Sequence, residues 1–213
     1  MPDRIDVIKI IIEGNISDLQ ALVDSDESLA RVRDANGISA LMTAAYHGKS
    51  EIVRYLRPLV PEPDIHEAAM LGDTAALRRY LDDNSAIRSR SPDGFTPLHL
   101  ASFFNQPGIV KLLLDHGADT NAVADNQSRV RALHSAAACG SIDISRMLLE
   151  HGADVNAFQQ GGWTALHAAA RHGNLDLVEL LLGFGADPDQ AADDGQTPVM
   201  MAANDTVRRR LTG

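Results

Sequence analysis

Eight histidines and a single cysteine hold most of the reactive side-chain chemistry available to this 213-residue chain. Metal binding is the first chemistry to weigh, since imidazole and thiolate are common zinc ligands. His66, His99, His134 and His167 recur at intervals of 33, 35 and 33 residues, and His116 and His151 are 35 apart. Such intervals put them at equivalent positions of neighbouring units, about 8–10 Å apart for packed helices. Zinc takes its ligand atoms at about 2.0–2.3 Å, so a ladder of this kind does not converge on one ion. No metal and no cofactor is expected. Nucleophilic catalysis is the second chemistry. Cys139 has His134 as its nearest base, but five residues along a helix turn the two side chains about 140° apart. His167 or His172 could approach from the next unit, yet no acid–base spacing supports a catalytic pair. The chain also lacks a phosphate-binding glycine loop, an HExxH and a GxSxG. The residues do not spell an enzyme.

Composition narrows the field further. Hydrophobic residues make up 45% of the chain and aromatics only 4%, so the core must be aliphatic. A formal net charge of −10 repels phosphate backbones and argues against nucleic acid as a partner. One cysteine excludes an internal disulfide and suits a reducing compartment. Charges at Asp3, Arg4, Asp6, Lys9 and Glu13 interrupt the N-terminal apolar run, so it does not read as a secretory signal. No stretch approaches the roughly 20 apolar residues of a membrane helix. The expectation is a soluble, cytoplasmic protein that is a monomer when free.

The elements that position the histidines follow from a repeat. Leu98 to Leu133 is 35 residues, Leu133 to Leu166 and Leu166 to Val199 are 33 each, and Ile65 lies 33 before Leu98. A fixed period of this length means stacked supersecondary units. Within one unit Thr96 can cap a helix and Pro97 can occupy its first turn. The helix ends at a position held by Gly14, Gly48, Gly72, Gly140 or Gly173 in other units and by Asn105 in this one, the usual substitute in a left-handed conformation. A second helix follows from Pro107 through Leu114 and stops at Gly117, as its counterparts stop at Gly152 and Gly185.

The phrases TPLH, TALH, LLLDHGADTNA and LLEHGADVNAF resemble ankyrin repeats over nearly the whole chain, most closely from 93 to 190. The resemblance implies an all-α solenoid of stacked antiparallel helix pairs with short β-hairpin fingers. Seven units are expected, at about 1–33, 34–62, 63–91, 92–124, 125–158, 159–192 and 193–213, with the first and last acting as caps. It also implies that the TPLH-type histidines are structural, linking neighbouring loops. Two irregularities break the period. Leu41 to Ile65 is only 24 residues, across RPLVPEPD, which leaves no room for a hairpin and predicts a notch in the row of fingers. DNQSRVRALH carries two extra residues, lengthening one finger and putting Arg131 where a threonine would cap.

In ankyrin arrays the finger tips and the inner face of the first helices resemble fingers and palm, and the resemblance makes them the partner site. The residues that fall there are Tyr46, His47, Met70, Leu71, Arg90, Phe95, Phe103, Phe104, Arg129, Arg131, Cys139, Phe158, Trp163, Arg171 and His172. Trp, Tyr and Arg are enriched at binding hot spots, and six of the nine aromatics map to this surface. The competing reading has the rings packed between units. It weighs most on Phe103, because Phe103 and Phe104 cannot both face outward, so Phe104 and Trp163, some 20 Å apart at about 10 Å per unit, are the expected anchors. The expected function is a non-catalytic protein-interaction module for a protein or peptide with apolar and acidic side chains. The alternatives are a self-associating scaffold and, with less support, an enzyme using Cys139. Arg208–Arg210 reads as a solvated cap near a helix C-terminus.

Overall fold

In a computed structural model, which describes residues 4–213, every described element is helical. The helices fall into two layers. The first layer holds α1 (Arg4–Glu13), α3 (Ala40–Tyr46), α5 (Ile65–Leu71), α8 (Pro97–Phe103), α10 (Ala132–Ala138), α12 (Ala165–Arg171) and α14 (Pro198–Met201). The second holds α2 (Ile16–Ser25), α4 (Ser50–Leu56), α6 (Thr74–Leu77), α9 (Pro107–Asp115), α11 (Ile142–Glu150), α13 (Leu175–Gly183) and α15 (Asp205–Leu211). Each first-layer helix packs on its own second-layer partner, and from α5 onward each also packs on the next first-layer helix. A further short helix, α7 (Asn84–Arg88), joins α6 to the finger before α8.

The residue types explain the layering. First-layer helices are crossed by small buried residues such as Ala101, Ala136, Ala137, Ala169 and Ala170, which let the backbones approach. Second-layer helices carry Leu113, Leu148 and Leu181, all fully buried, and each such leucine contributes about 1.5–3 kcal/mol of burial. Caps set the boundaries: the Thr96 hydroxyl accepts from the His99 N–H, Asn174 from the Leu177 N–H and Asp64 from the Glu67 N–H. Asn105 closes α8 with φ of 54°, as its place in the glycine series predicts.

The fingers are not strands. Among the described residues there is no β-strand, only one isolated antiparallel bridge between Arg33 and Ser39. Each finger is a turn closed by a backbone hydrogen bond: Asp34 N–H to Ile38 O, Ser91 to Phe95, Ala124 to Val130, Gln159 to Trp163 and Ala192 to Gln196, all at 2.8–2.9 Å. Neighbouring tips are stitched sideways. The Asp125, Gln160 and Asp193 N–H groups donate to Gly94, Ser128 and Gly161 carbonyls, each at 2.9 Å.

The junction Arg57–Asp64 forms no hairpin, only a three-residue 3-10 turn at Arg57–Leu59. The expected notch is nevertheless closed. A Cβ placed on Gly37, in the finger before the junction, would lie 3.3 Å from the Pro92 ring in the finger after it. The Tyr46 ring of α3 reaches Phe104 at the end of α8, with centroids 5.9 Å apart, although a straight stack would hold the two helices about 16–20 Å apart. The array therefore bends inward at the short unit. Two hydrophobic clusters result, one built mainly on α1 to α4 together with Met70 and Leu100, the other running from Ile65 to Leu211.

Candidate functional site

The histidine ladder is structural. The Nδ1 of His99, His134 and His167 accepts the backbone N–H of Thr96, Arg131 and Thr164, at 3.3, 3.0 and 3.1 Å. That leaves the proton on Nε2. Nε2 then donates to a carbonyl of the following finger: Val130 at 3.0 Å, Ala157 at 2.9 Å and Gln196 at 3.1 Å. His66 reaches the Ser89 carbonyl less closely, at 3.4 Å. Burial penalises the imidazolium and pushes His99 and His134 down to about 4, and lowers His66 and His167 in the same direction. His116 and His151 each donate from Nδ1 to a carbonyl four residues back, at 2.7 Å. Among the described residues no group of three or more His, Cys, Asp or Glu side chains could hold a metal ion.

Cys139 is exposed, and its thiol donates to the Phe103 carbonyl at 2.7 Å. Burial pushes the thiol pKa up, which disfavours the thiolate that a nucleophile requires.

The inner side, where first-layer helices meet finger bases, carries two adjoining grooves. The larger, about 340 Å³, runs between α8 and α10 and is lined by Tyr46, Asp93, Phe95, Leu100, Phe103 and Val130 among others. The smaller, about 170 Å³, runs between α10 and α12 and includes Trp163, Ala168, Arg171 and Met201. His134, Ala138 and Gln159 line both, so the grooves form one trough. Trp163 stands edge-on to His167, centroids 5.1 Å apart.

The expected surface residues divide. Phe103 and Phe158 are each 49% exposed, and His47, Arg90, Arg129, Cys139, Arg171 and His172 are exposed as well. Tyr46, Leu71, Phe95, Arg131 and Trp163 are partly buried. Met70 is 2% exposed and belongs to the core; the inward bend covers it, and a buried side chain offers a partner nothing. The bend also reverses the Phe103/Phe104 expectation. Phe104 is partly buried between Tyr46 and Phe103, edge-on to the latter at 5.2 Å, while Phe103 faces out. Phe104 is a packing residue and Phe103 is the open one.

The arginines differ in how free they are. The Arg90 guanidinium donates to Gly94 and Val123 carbonyls at 3.1 and 2.7 Å, and that of Arg131 to Phe158 and Asn121 carbonyls at 3.0 and 3.3 Å. Both brace the fingers. Arg129 and Arg171 make no ion pair and no side-chain hydrogen bond among the described residues. Arg129 sits at the tip of the long finger with φ of 51°, a left-handed conformation unusual outside glycine.

Two features escaped sequence reasoning. The side-chain amide of Gln159 has no hydrogen-bond partner among the described residues and sits where the grooves meet. The Tyr46 hydroxyl is buried without a hydrogen-bond partner. Burial first, then the neighbouring Asp93 carboxylate, raise the phenol pKa well above its usual range. Tyr46 is among the expected surface residues, but nothing in the local sequence marks its hydroxyl as orphaned, because that environment is made by α8, more than fifty residues away.

Comparison with known proteins agrees with this architecture. One family profile, "Ankyrin repeats (3 copies)", matches residues 65–159, and another, "Ankyrin repeats (many copies)", matches 148–202. Together they span 65–202 of the 213 residues. Similar curated proteins include alpha-latrocrustotoxin-Lt1a of Latrodectus tredecimguttatus, 28% identical over 133 residues, 58% of this chain and 9% of the toxin. Neurogenic locus notch homolog protein 1 of Danio rerio is 32% identical over 120 residues, 52% of this chain and 5% of that protein. Palmitoyltransferase akr1 of Aspergillus oryzae is 40% identical over 60 residues, 28% of this chain and 8% of the enzyme. The chain thus spans less than a tenth of the length of each of these relatives. Ankyrin repeats generally mediate protein–protein contacts and are generally non-catalytic. On the period, the capped helix pairs, the histidine ladder and these matches, the chain belongs to the ankyrin repeat family.

Proposed function

We propose that this chain is a non-catalytic interaction module that binds a protein or peptide segment along the trough between its finger bases and first-layer helices. The observation that carries the reading is the trough itself: two adjoining grooves, open Phe103 at one and unpaired Arg171 at the other. A largely apolar groove continued by one with an unpaired cation, in a chain of net charge −10, suits a partner with apolar and acidic side chains. The raised thiol pKa of Cys139 speaks against catalysis, and the reducing compartment that suits a lone thiol is the cytoplasm. The array is proposed to act as one domain of seven units.

Displayed random peptides selected on the full chain, then mapped by amide chemical shifts, test this. Shifts should fall on α8, α10, α12 and the fingers, and Phe103→Ala should weaken binding about tenfold or more. Shifts confined to α9, α11 and α13 would refute it. Light scattering across concentration separates the reading from self-association, in which the trough would be filled by a second copy.

A further inference from the structure

The trough holds polar atoms that the fold leaves unsatisfied, and their order along it is informative. The larger groove is walled by aromatic and aliphatic side chains, yet the buried Tyr46 hydroxyl has no partner. That hydroxyl has almost no accessible surface, so it sets no contact of its own and the polar group an occupant meets at this end is a carboxylate. The Asp93 carboxylate lines the same groove and favours an occupant that donates. A volume of about 340 Å³ has room for one aromatic side chain with a polar tip. One groove further on, the cavity shrinks to about 170 Å³ and the unpaired Arg171 guanidinium takes over. A short carboxylate fits that place in size and in charge, and forms a charge-assisted hydrogen bond.

Between the grooves lies the free amide of Gln159. An amide carries both donor and acceptor and so matches a peptide main chain whose own N–H and C=O are free. A helix has none free in its middle; an extended segment does. Adjacent grooves are one helix spacing apart, about 8–10 Å. A polyproline-II segment advances about 3.1 Å per residue and brings every third side chain back to one face, so residues three apart meet both grooves.

Building on the trough as the binding surface, we propose that it reads an extended peptide in which a tyrosine or tryptophan fills the groove between α8 and α10 and an acidic residue three positions away meets Arg171.

Random twelve-residue peptides displayed against the full chain supply the probe, and the tightest is then synthesised with its variants and titrated by fluorescence anisotropy. The expected peptides pair Tyr or Trp with Asp or Glu three positions away. Removing the polar tip, by Tyr→Phe or by 1-methyl-tryptophan, should weaken binding at least fivefold against the natural chain. Against Asp93→Asn, which keeps an oxygen for the Ser91 hydroxyl, the same change should cost less than twofold. Replacing the acid by its amide should cost about tenfold, an effect that Arg171→Gln abolishes. Peptides that bind the trough without this pair, or that carry it with no coupling to Asp93 and Arg171, overturn the inference and leave the trough as the site. Peptides unaffected by Phe103→Ala overturn both.

Discussion

Acidification should destabilise this protein before most of its carboxylates are protonated, because the ladder that joins the fingers must stay neutral. The Nδ1 of His99 and of His134 accepts a backbone N–H while Nε2 donates to the next finger, and a proton on Nδ1 would destroy the first bond. Burial holds both at about 4 in the folded chain against 6.5 when exposed. Between those values the unfolded chain binds more protons than the folded one. Stability is therefore complete above pH 6.5 and is lost as pH falls from there toward 4. Integrated from pH 7.5 to 5, each histidine withdraws about 2 kcal/mol, so the pair withdraws about 4 kcal/mol. His66 and His167 shift in the same direction and add to it. For a domain whose whole stability is about 5–15 kcal/mol, this is a large share. Urea unfolding followed by circular dichroism at pH 7.5, 6.5, 5.5 and 5.0 measures it. His134→Gln removes one titrating group and should halve the contribution of the pair. Equal midpoints at pH 7.5 and 5.0, or imidazole NMR resonances of His99 and His134 that titrate near 6.5, would refute the reasoning.

Two further outcomes rest on single atoms. Ser102 is fully buried and its hydroxyl has no partner, so Ser102→Ala should raise stability by about 1 kcal/mol, seen as a melting temperature about 2–4 °C higher; a lower one would show that the hydroxyl is satisfied. Gly94 has φ of 88°, and a Cβ there would overlap the Asp125 carbonyl oxygen. Gly94→Ala should cost about 2 kcal/mol or more through left-handed strain and loss of the stitch between fingers, whereas Gly195→Ala, with φ of 79° and open space around it, should cost only the strain, about 1 kcal/mol; equal losses would show that the stitch contributes nothing.

What the sequence discloses is whatever recurs. Helix pairs, caps, the left-handed Asn105 and the role of the histidines all repeat at a fixed offset, so each unit predicts its neighbours. One repeat signal lay outside the dominant period. Asp26-x-Ser28 and Asp83-x-Ser85 are 57 apart, and in both the aspartate accepts from the serine N–H and hydroxyl. Each opens a short helical turn, Glu27–Arg31 and Asn84–Arg88. Arg33 and Arg90, also 57 apart, each donate to the glycine carbonyl of their finger, Gly37 at 3.0 Å and Gly94 at 3.1 Å. That shared pattern could have marked Arg90 as a brace in advance. The Phe103/Phe104 reversal had no such marker. Consecutive residues of a helix differ by about 100°, and which of the two is covered depends on the bend at RPLVPEPD, where α3 swings toward α8.

The same division shows which residues of the trough are free to serve a partner. Structural duty falls on groups whose bonds run along the array: imidazoles to the next finger, Arg90 and Arg131 to finger carbonyls, and the Gln106 amide, which donates to the Met70 carbonyl at 3.1 Å. Changing any of these loosens a joint between units, and a loss of binding would then report a loss of shape. Among the described residues Phe103, Arg129, Gln159 and Arg171 have no such bonds from their side chains, and Phe103 and Arg171 sit on opposite grooves with Gln159 between them. Their chemistry can change while every joint stays closed. Recognition and folding are separable in this chain to the extent that these side chains, and not the arginines that brace the fingers, set affinity.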